Sequence, residues 1–169
     1  MKIVVCDTGP ILHLREAESL SILQAAGSIH IPLAVDAEMA RLDRLWADER
    51  PAWIQTTSLD PAHLNDARSW LQAGLLDPGE AQALALAAQI GADWLLTDDA
   101  AARTLAQHQG FEVHGSVGLI LWAATEGHLD RSEGERALEA LARSSLWISA
   151  RVLSEARSAL ERILSQRPD

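Results

Sequence analysis

A chain of 169 residues, 48% of them hydrophobic and with no long Pro, Ser or Gly-rich tract, fits one globular domain rather than a disordered tail or a solenoid. Its formal net charge of −10, from 14 Lys and Arg against 24 Asp and Glu, argues against a protein that coats nucleic acid by neutralising phosphates, yet admits a nuclease whose metal-binding carboxylates add to that charge. The single cysteine, Cys6, excludes an intramolecular disulfide and a multi-cysteine metal site; the start is too short for a signal peptide, no run approaches the roughly 18 apolar residues of a membrane span, and a cytoplasmic protein is expected.

The stretch Lys2 to Leu14, KIVVCDTGPILHL, sets the frame for the rest. Ile3 to Cys6 reads as a buried strand, Asp7-Thr8-Gly9-Pro10 as a tight turn, and the apolar segment from Ile11 as a helix. Ligands of an open parallel sheet bind just beyond the carboxyl ends of its strands, and Asp7 falls there. Leu20, Ile22 and Leu23 carry the helical segment on to Gly27, and Ile29-His30-Ile31 is a short strand. Pro32 suits the first turn of the next helix, along which Val35, Met39, Leu42 and Trp46 recur as one buried stripe. Glu38 lies about 40° from the edge of that stripe, so it is able to look toward the sheet.

Pro51 breaks the helix, and Trp53 to Thr57 alternates like a strand. Pro61 to Ala73 follows as a helix closed by Gly74. Asp77-Pro78-Gly79-Glu80 then opens the run Ala81 to Ile90, apolar nearly all round and expected against the sheet, with Gly91 as its C-cap. Trp94 to Thr97 is a second buried strand, and Asp98-Asp99 opens an Ala-rich helix that Gly110 ends. Phe111 to Val113 is a brief strand, His114-Gly115-Ser116 a turn, and Val117 to Thr125 a helix stopped by Gly127. This alternation predicts an α/β fold with a parallel sheet covered on both faces. Ser132 to Arg143 and Ser149 to Leu164, flanking Leu146-Trp147-Ile148, are amphipathic helices of a C-terminal extension (129–169) to a core of about 1–128 in one domain.

Six of the seven aromatic residues are Trp. Trp94 and Trp122 sit inside apolar runs and belong to the core, whereas Trp46, Trp70 and Trp147 stay open for stacking on bases. The six His residues, His13, His30, His63, His108, His114 and His128, are scattered and read as structural or exposed.

Asp7, Glu80 and the pair Asp98-Asp99 each lie where a strand ends or a helix begins, on the same edge of the predicted sheet. Three or four carboxylates brought together repel one another unless protons or a cation compensate. Hard oxygen donors without Cys or an obvious His partner suit Mg²⁺ or Mn²⁺ rather than zinc, and such sites hydrolyse phosphodiesters. Each acid also has a plainer reading. Asp7 fits a turn cap, and Glu80 with Asp77 fits a D-x-x-E capping box. One of Asp98 and Asp99 fits an N-cap, and Glu38 fits a solvated helix face. Arg103, one helical turn past the Asp pair, is the best-placed phosphate contact, ahead of Arg41 and Arg44; Gly115-Ser116 offers N–H groups or a hydroxyl to a phosphate, or is a plain turn.

The segments VVCDTGPILHL, IPLAVDAEM, LDPGEAQALALA, WLLTDDAAAR and GSVGLILWA, in this order over residues 2 to about 128, resemble those of PIN-domain proteins, in particular the prokaryotic PIN-like branch related to VapC-type toxins. The resemblance implies a PIN-like three-layer sandwich and a Mg²⁺- or Mn²⁺-dependent endoribonuclease. Carried over by motif, Asp7 is the first-strand acid, Glu38 the helix acid and Glu80 the third. The fourth lies in the Asp98-Asp99 pair: the T-x-D pattern picks Asp99, while Asp98 is nearer the strand end. Thr8 occupies the position that steadies the first acid or a water. The resemblance further implies an RNA substrate, a homodimer and, for a toxin, a small antitoxin protein; no membrane is involved. Gly9-Pro10 and the C-terminal helices depart from the usual pattern without removing an acid.

Two rival readings stand beside this one. A phosphatase with Asp7 as nucleophile lacks a second Asp at the Gly9 position and has only Lys2 as a lysine. A non-catalytic interaction module with a surviving acidic cup would bind metal without cleaving RNA.

Overall fold

The computed structural model describes residues 1–166. Five short strands, β1 (Ile3–Cys6), β2 (Ser28–Pro32), β3 (Ile54–Thr57), β4 (Trp94–Leu96) and β5 (Glu112–His114), form one parallel sheet in the order β3-β2-β1-β4-β5. Parallel neighbours need crossovers, and helices supply them. In chain order these are α1 (Thr8–Glu16), α2 (Ser21–Ala26), α3 (Leu33–Leu42), α4 (Trp46–Glu49), α5 (Pro61–Gln72), α6 (Pro78–Ile90) and α7 (Ala100–His108), followed by α8 (Ser116–Thr125), α9 (Arg131–Ala142) and α10 (Ala150–Ser165).

Side chains alternate across the central strands, so each strand feeds two cores. Val4, Cys6, Trp94 and Leu96 pack with Leu14 of α1, Leu119 and Ile120 of α8, and Leu138 and Leu160 of α9 and α10. Val5 and Leu95 face the opposite way, onto Leu84 and Leu86 of α6 and Ala102 and Ala106 of α7. The result is the three-layer α/β sandwich expected from the alternation of elements. Burial pushes the Cys6 thiol pKa up, in keeping with a core residue. Among the described residues no helix is long and apolar enough to cross a membrane.

The strand order decides where a site can form. The chain steps outward from β1 to β2 and β3, then returns to the other side of β1 as β4. Loops leaving β1 and β4 therefore diverge, and a crevice opens beyond their carboxyl ends.

Three local expectations are corrected. Pro32 ends β2 and stands at the N-cap of α3, not in its first turn. The stripe Val35, Met39, Leu42, Trp46 is not one helix: α3 ends at Leu42, which is 55% exposed, and the chain extends at Asp43, which binds the Arg15 side chain. Trp46 then re-enters in α4 as a fully buried residue whose Nε1 donates to Asp36 Oδ1 at 2.8 Å, which removes it from the candidates for base stacking. The first helical segment is likewise two helices, separated at Glu18, a non-glycine residue with φ 53°.

Candidate active site

Asp7 follows β1 directly and caps α1. Its backbone N–H donates to Leu96 of β4 at 2.9 Å, which ties the two central strands together where they diverge. Asp7 Oδ1 accepts from the Thr8 N–H at 2.7 Å, and Oδ2 accepts from the Thr97 hydroxyl at 3.0 Å. The capping role and an inward-facing carboxyl thus coexist in one side chain, only 5% exposed. Burial above all, with help from the charges of Glu80 and Asp77, raises its pKa from 3.8 to about 7, against the pull of the Thr8 and Thr97 bonds.

The other acids arrive on helices. Glu38, half-buried on α3, accepts the Thr8 hydroxyl at Oε2 over 2.6 Å, so Thr8 links the β1 acid to the α3 acid. Glu80 forms the expected capping box at the start of α6: its N–H donates to Asp77 Oδ1 at 2.8 Å and its Oε2 accepts the Asp77 N–H at 2.9 Å. Burial, reinforced by the charges of Asp77 and Asp99, raises the Glu80 pKa to about 7. Between these groups Gly79 leaves room for the present positions of the oxygens. A Cβ there would lie 2.6 Å from Glu38 Oε2, 3.3 Å from Thr8 Oγ1 and 3.5 Å from Asp7 Oδ1.

The adjacent acids after β4 have separate tasks. Asp99 caps α7, its Oδ1 accepting from the Ala102 N–H at 2.8 Å, and its own N–H donates to Thr97 Oγ1 at 3.2 Å. Asp98 turns the other way and is braced at both oxygens. Oδ1 accepts the Ser116 N–H at 2.7 Å, while Oδ2 accepts the Ser116 hydroxyl at 2.6 Å and pairs with His13 Nδ1 at 2.7 Å. Burial would raise the Asp98 pKa, but the His13 and Ser116 bonds outweigh it and hold the carboxyl below its ordinary value. Ser116 is fully buried, with both its donors engaged by Asp98. Arg103 reaches back from α7, its Nη2 donating to the Thr97 carbonyl at 3.3 Å.

Asp7, Glu38, Asp77, Glu80, Asp98 and Asp99, with Thr8, Gly9, His13 and Leu146, line one open cleft of about 310 Å³. Among the described residues no Lys or Arg lines it. Sequence reasoning missed His13 and Thr97 here. His13, read from the sequence as structural or exposed, is structural here and lines the cleft, holding a partner 85 residues away in the chain. In the sequence Thr97 stands out as the end of the predicted strand and the first letter of the T-x-D pattern, neither of which marks its hydroxyl. Its hydroxyl, 1% exposed as part of the residue, connects Asp7 with the Asp99 backbone.

The donor set suits a hard cation. Oxygen donors from several elements meet in a cleft that no Lys or Arg among the described residues lines, and the bare Cα of Gly79 keeps space open among three of the oxygens. Among the described residues, however, no three His, Cys, Asp or Glu side chains already stand as a closed ligand set. The acids face a common space rather than an assembled cage.

A parallel α/β sheet of three layers with acids gathered at its switch point defines the class of fold. The comparison with known families agrees. A family model described as a PIN domain matches residues 3–162, from β1 into α10, and the chain belongs to this PIN-domain family. Membership carries a coarse assignment: PIN domains are generally nucleases, hydrolases of nucleic acid that typically use divalent metals. Among curated proteins, none matches the chain.

Proposed function

We propose that the chain is an endoribonuclease that hydrolyses RNA phosphodiester bonds with Mg²⁺ or Mn²⁺. The observation that carries this reading is the meeting of Asp7, Glu38, Glu80 and Asp99 in one cleft at the sheet's switch point, two of them with pKa values raised to about 7. Asp7, Glu38, Glu80 and Asp99 would hold the cation. Asp98, with three hydrogen bonds to Ser116 and His13, serves better as a brace for the loop after β4 than as a ligand. When bound, a divalent ion supplies charge neutralisation and Lewis acidity toward the phosphodiester. Thr8 and Thr97 orient Glu38 and Asp7 by donating to them, and the cleft's own carboxylates offer acceptors for the proton of an attacking water. Arg103 is the nearby cation that this reading assigns to a phosphate.

The resemblance to VapC-type toxins supports two further parts of the proposal, a homodimer and a toxin role with an antitoxin protein that blocks the acidic cleft. A neighbouring gene product that neither binds the chain nor relieves its toxicity would contradict the toxin role. The nuclease reading is tested by incubating the purified chain with a mixed RNA pool and Mn²⁺, with EDTA, and as Asp7→Asn and Asp99→Asn. Metal-dependent cleavage lost in EDTA and in both variants is expected. Cleavage that survives Asp7→Asn contradicts it, and metal binding without any cleavage favours a non-catalytic module.

A further inference from the structure

Beside the acidic cleft runs a second cavity of about 400 Å³, walled by Val117, Leu121, Leu146, Ile148 and Val152, with Trp147 at its rim. Asp98 and Leu146 line both cavities, so the groove and the cleft are immediate neighbours. We infer that this groove holds one unpaired nucleobase of an RNA strand whose phosphate lies in the cleft, with Trp147 as the stacking surface. The inference rests on the ribonuclease reading and adds to it a base-binding subsite formed by Trp147 and Arg103.

Trp147 is the only tryptophan turned outward to this extent, 84% exposed, whereas its neighbours Leu146 and Ile148 pack against the core. An exposed indole beside an apolar groove offers a flat face for stacking. The loop that displays it is held on both sides. Ser145 donates from its N–H to Glu16 Oε2 at 2.6 Å and from its hydroxyl to Glu16 Oε1 at 3.0 Å, and Ser149 Oγ caps α10 through the Val152 N–H at 3.2 Å. Trp147 is therefore presented by a fixed loop, which lowers the ordering cost of binding.

Charge selects the occupant. Arg103 lines the groove, makes no ion pair among the described residues, and has a buried Nε without a hydrogen-bond partner. Gly115 leaves room for it: a Cβ there would come within 2.5 Å of Arg103 Nη2 and 2.9 Å of Asp98 Oδ1. With Asp98 close by but not in direct contact, the guanidinium keeps donors free beside the boundary with the cleft, which fits the anionic backbone of a strand lying across both cavities. An apolar side chain of a protein partner would have no use for it. On a chain of net charge −10, stacking is also the recognition mode that depends least on overall charge.

The test measures steady-state cleavage, with Mn²⁺, of a fluorescein-labelled single-stranded RNA 12-mer of mixed sequence, and of the same strand annealed to its complement. Trp147→Ala is expected to raise KM for the single strand roughly tenfold, the loss falling on KM more than on kcat, and Trp147→Phe to recover most of it. The duplex should show no dependence on Trp147. An unchanged KM in a Trp147→Ala protein that melts like wild type overturns the inference and leaves the ribonuclease reading standing. A Trp147→Ala protein that changes oligomeric state on size exclusion also overturns it, by making Trp147 part of a protein interface. A wild-type protein that cleaves neither form overturns the ribonuclease reading itself, and this inference with it.

Discussion

The chain starts two of its helices with the same device. Asp77 and Glu80 open α6, Asp130 and Glu133 open α9, and both pairs exchange N–H to carboxylate bonds of 2.8 and 2.9 Å. Locally they are interchangeable; their surroundings differ. At α6 the next glycine, Gly79, faces the oxygens of Glu38, Thr8 and Asp7, and among the described residues His13 is the one basic side chain lining the pocket. At α9 the next glycine, Gly134, faces the methyl groups of Leu160, and Glu133 looks into a pocket that includes Arg136 and Arg143. A capping box fixes a helix start in either place. It becomes part of a candidate active site only where the strand order brings other acids opposite it.

Matched substitutions separate the two boxes most strongly. Glu80→Ala is expected to lower metal-dependent RNA cleavage on the order of 10²-fold or more, whereas Glu133→Ala leaves cleavage unchanged. Both lose a cap contact worth about 1 kcal/mol. In thermal melts without metal the Glu133 variant shows that loss, while the Glu80 variant offsets it by relieving repulsion at pH 7.5. Equal effects on cleavage would erase the distinction.

The glycines give a smaller contrast. In a helix Gly→Ala ordinarily stabilises by about 0.5–1 kcal/mol. At Gly79 the added methyl collides with Glu38 Oε2, so Gly79→Ala is expected to reduce cleavage about tenfold even where the protein melts no lower. Wild-type cleavage in Gly79→Ala would show that the spacing of Glu38 and Asp7 is unimportant.

The smallest effect is on stability against pH. A carboxyl with a higher pKa in the folded than in the unfolded chain binds its proton preferentially when folded. Stability of the metal-free protein should therefore fall as pH rises from about 4 to about 7, the window set by Asp7 and Glu80. Asp7→Asn removes part of that slope and should raise metal-free stability at pH 7.5 by roughly 1–3 kcal/mol in denaturant titrations. A wild-type curve that is flat across this window, or rises, would show that the acids are not crowded.

Much of this was legible in the sequence because local chemistry marks it. The β1 run, the Asp-x-x-Glu box before α6 and the αL glycine Gly91 after it each follow from a few adjacent residues. The shared edge of the acids followed from strand ends and helix starts alone. Other features depend on distant partners. The hydrophobic spacing ran straight through Leu42 because periodicity cannot register the extended residue Asp43, which Arg15 of α1 helps to hold. His13 carried no local signal, since Asp98 reaches it only through the fold. The two orientations within Asp98-Asp99 depend on what surrounds each residue: one finds the Ala102 N–H of its own helix, the other finds Ser116 and His13.

The central claim is that acids with raised pKa values meet to hold a divalent cation. It is tested most directly by calorimetric titration of Mn²⁺ into the wild-type chain at pH 6.5, in two buffers of different ionisation enthalpy. With Asp7 and Glu80 near pKa 7, binding should release about one proton or more, and Asp7→Asn should diminish both the release and the affinity. Mn²⁺ binding without proton release, or no binding at all, would contradict the account.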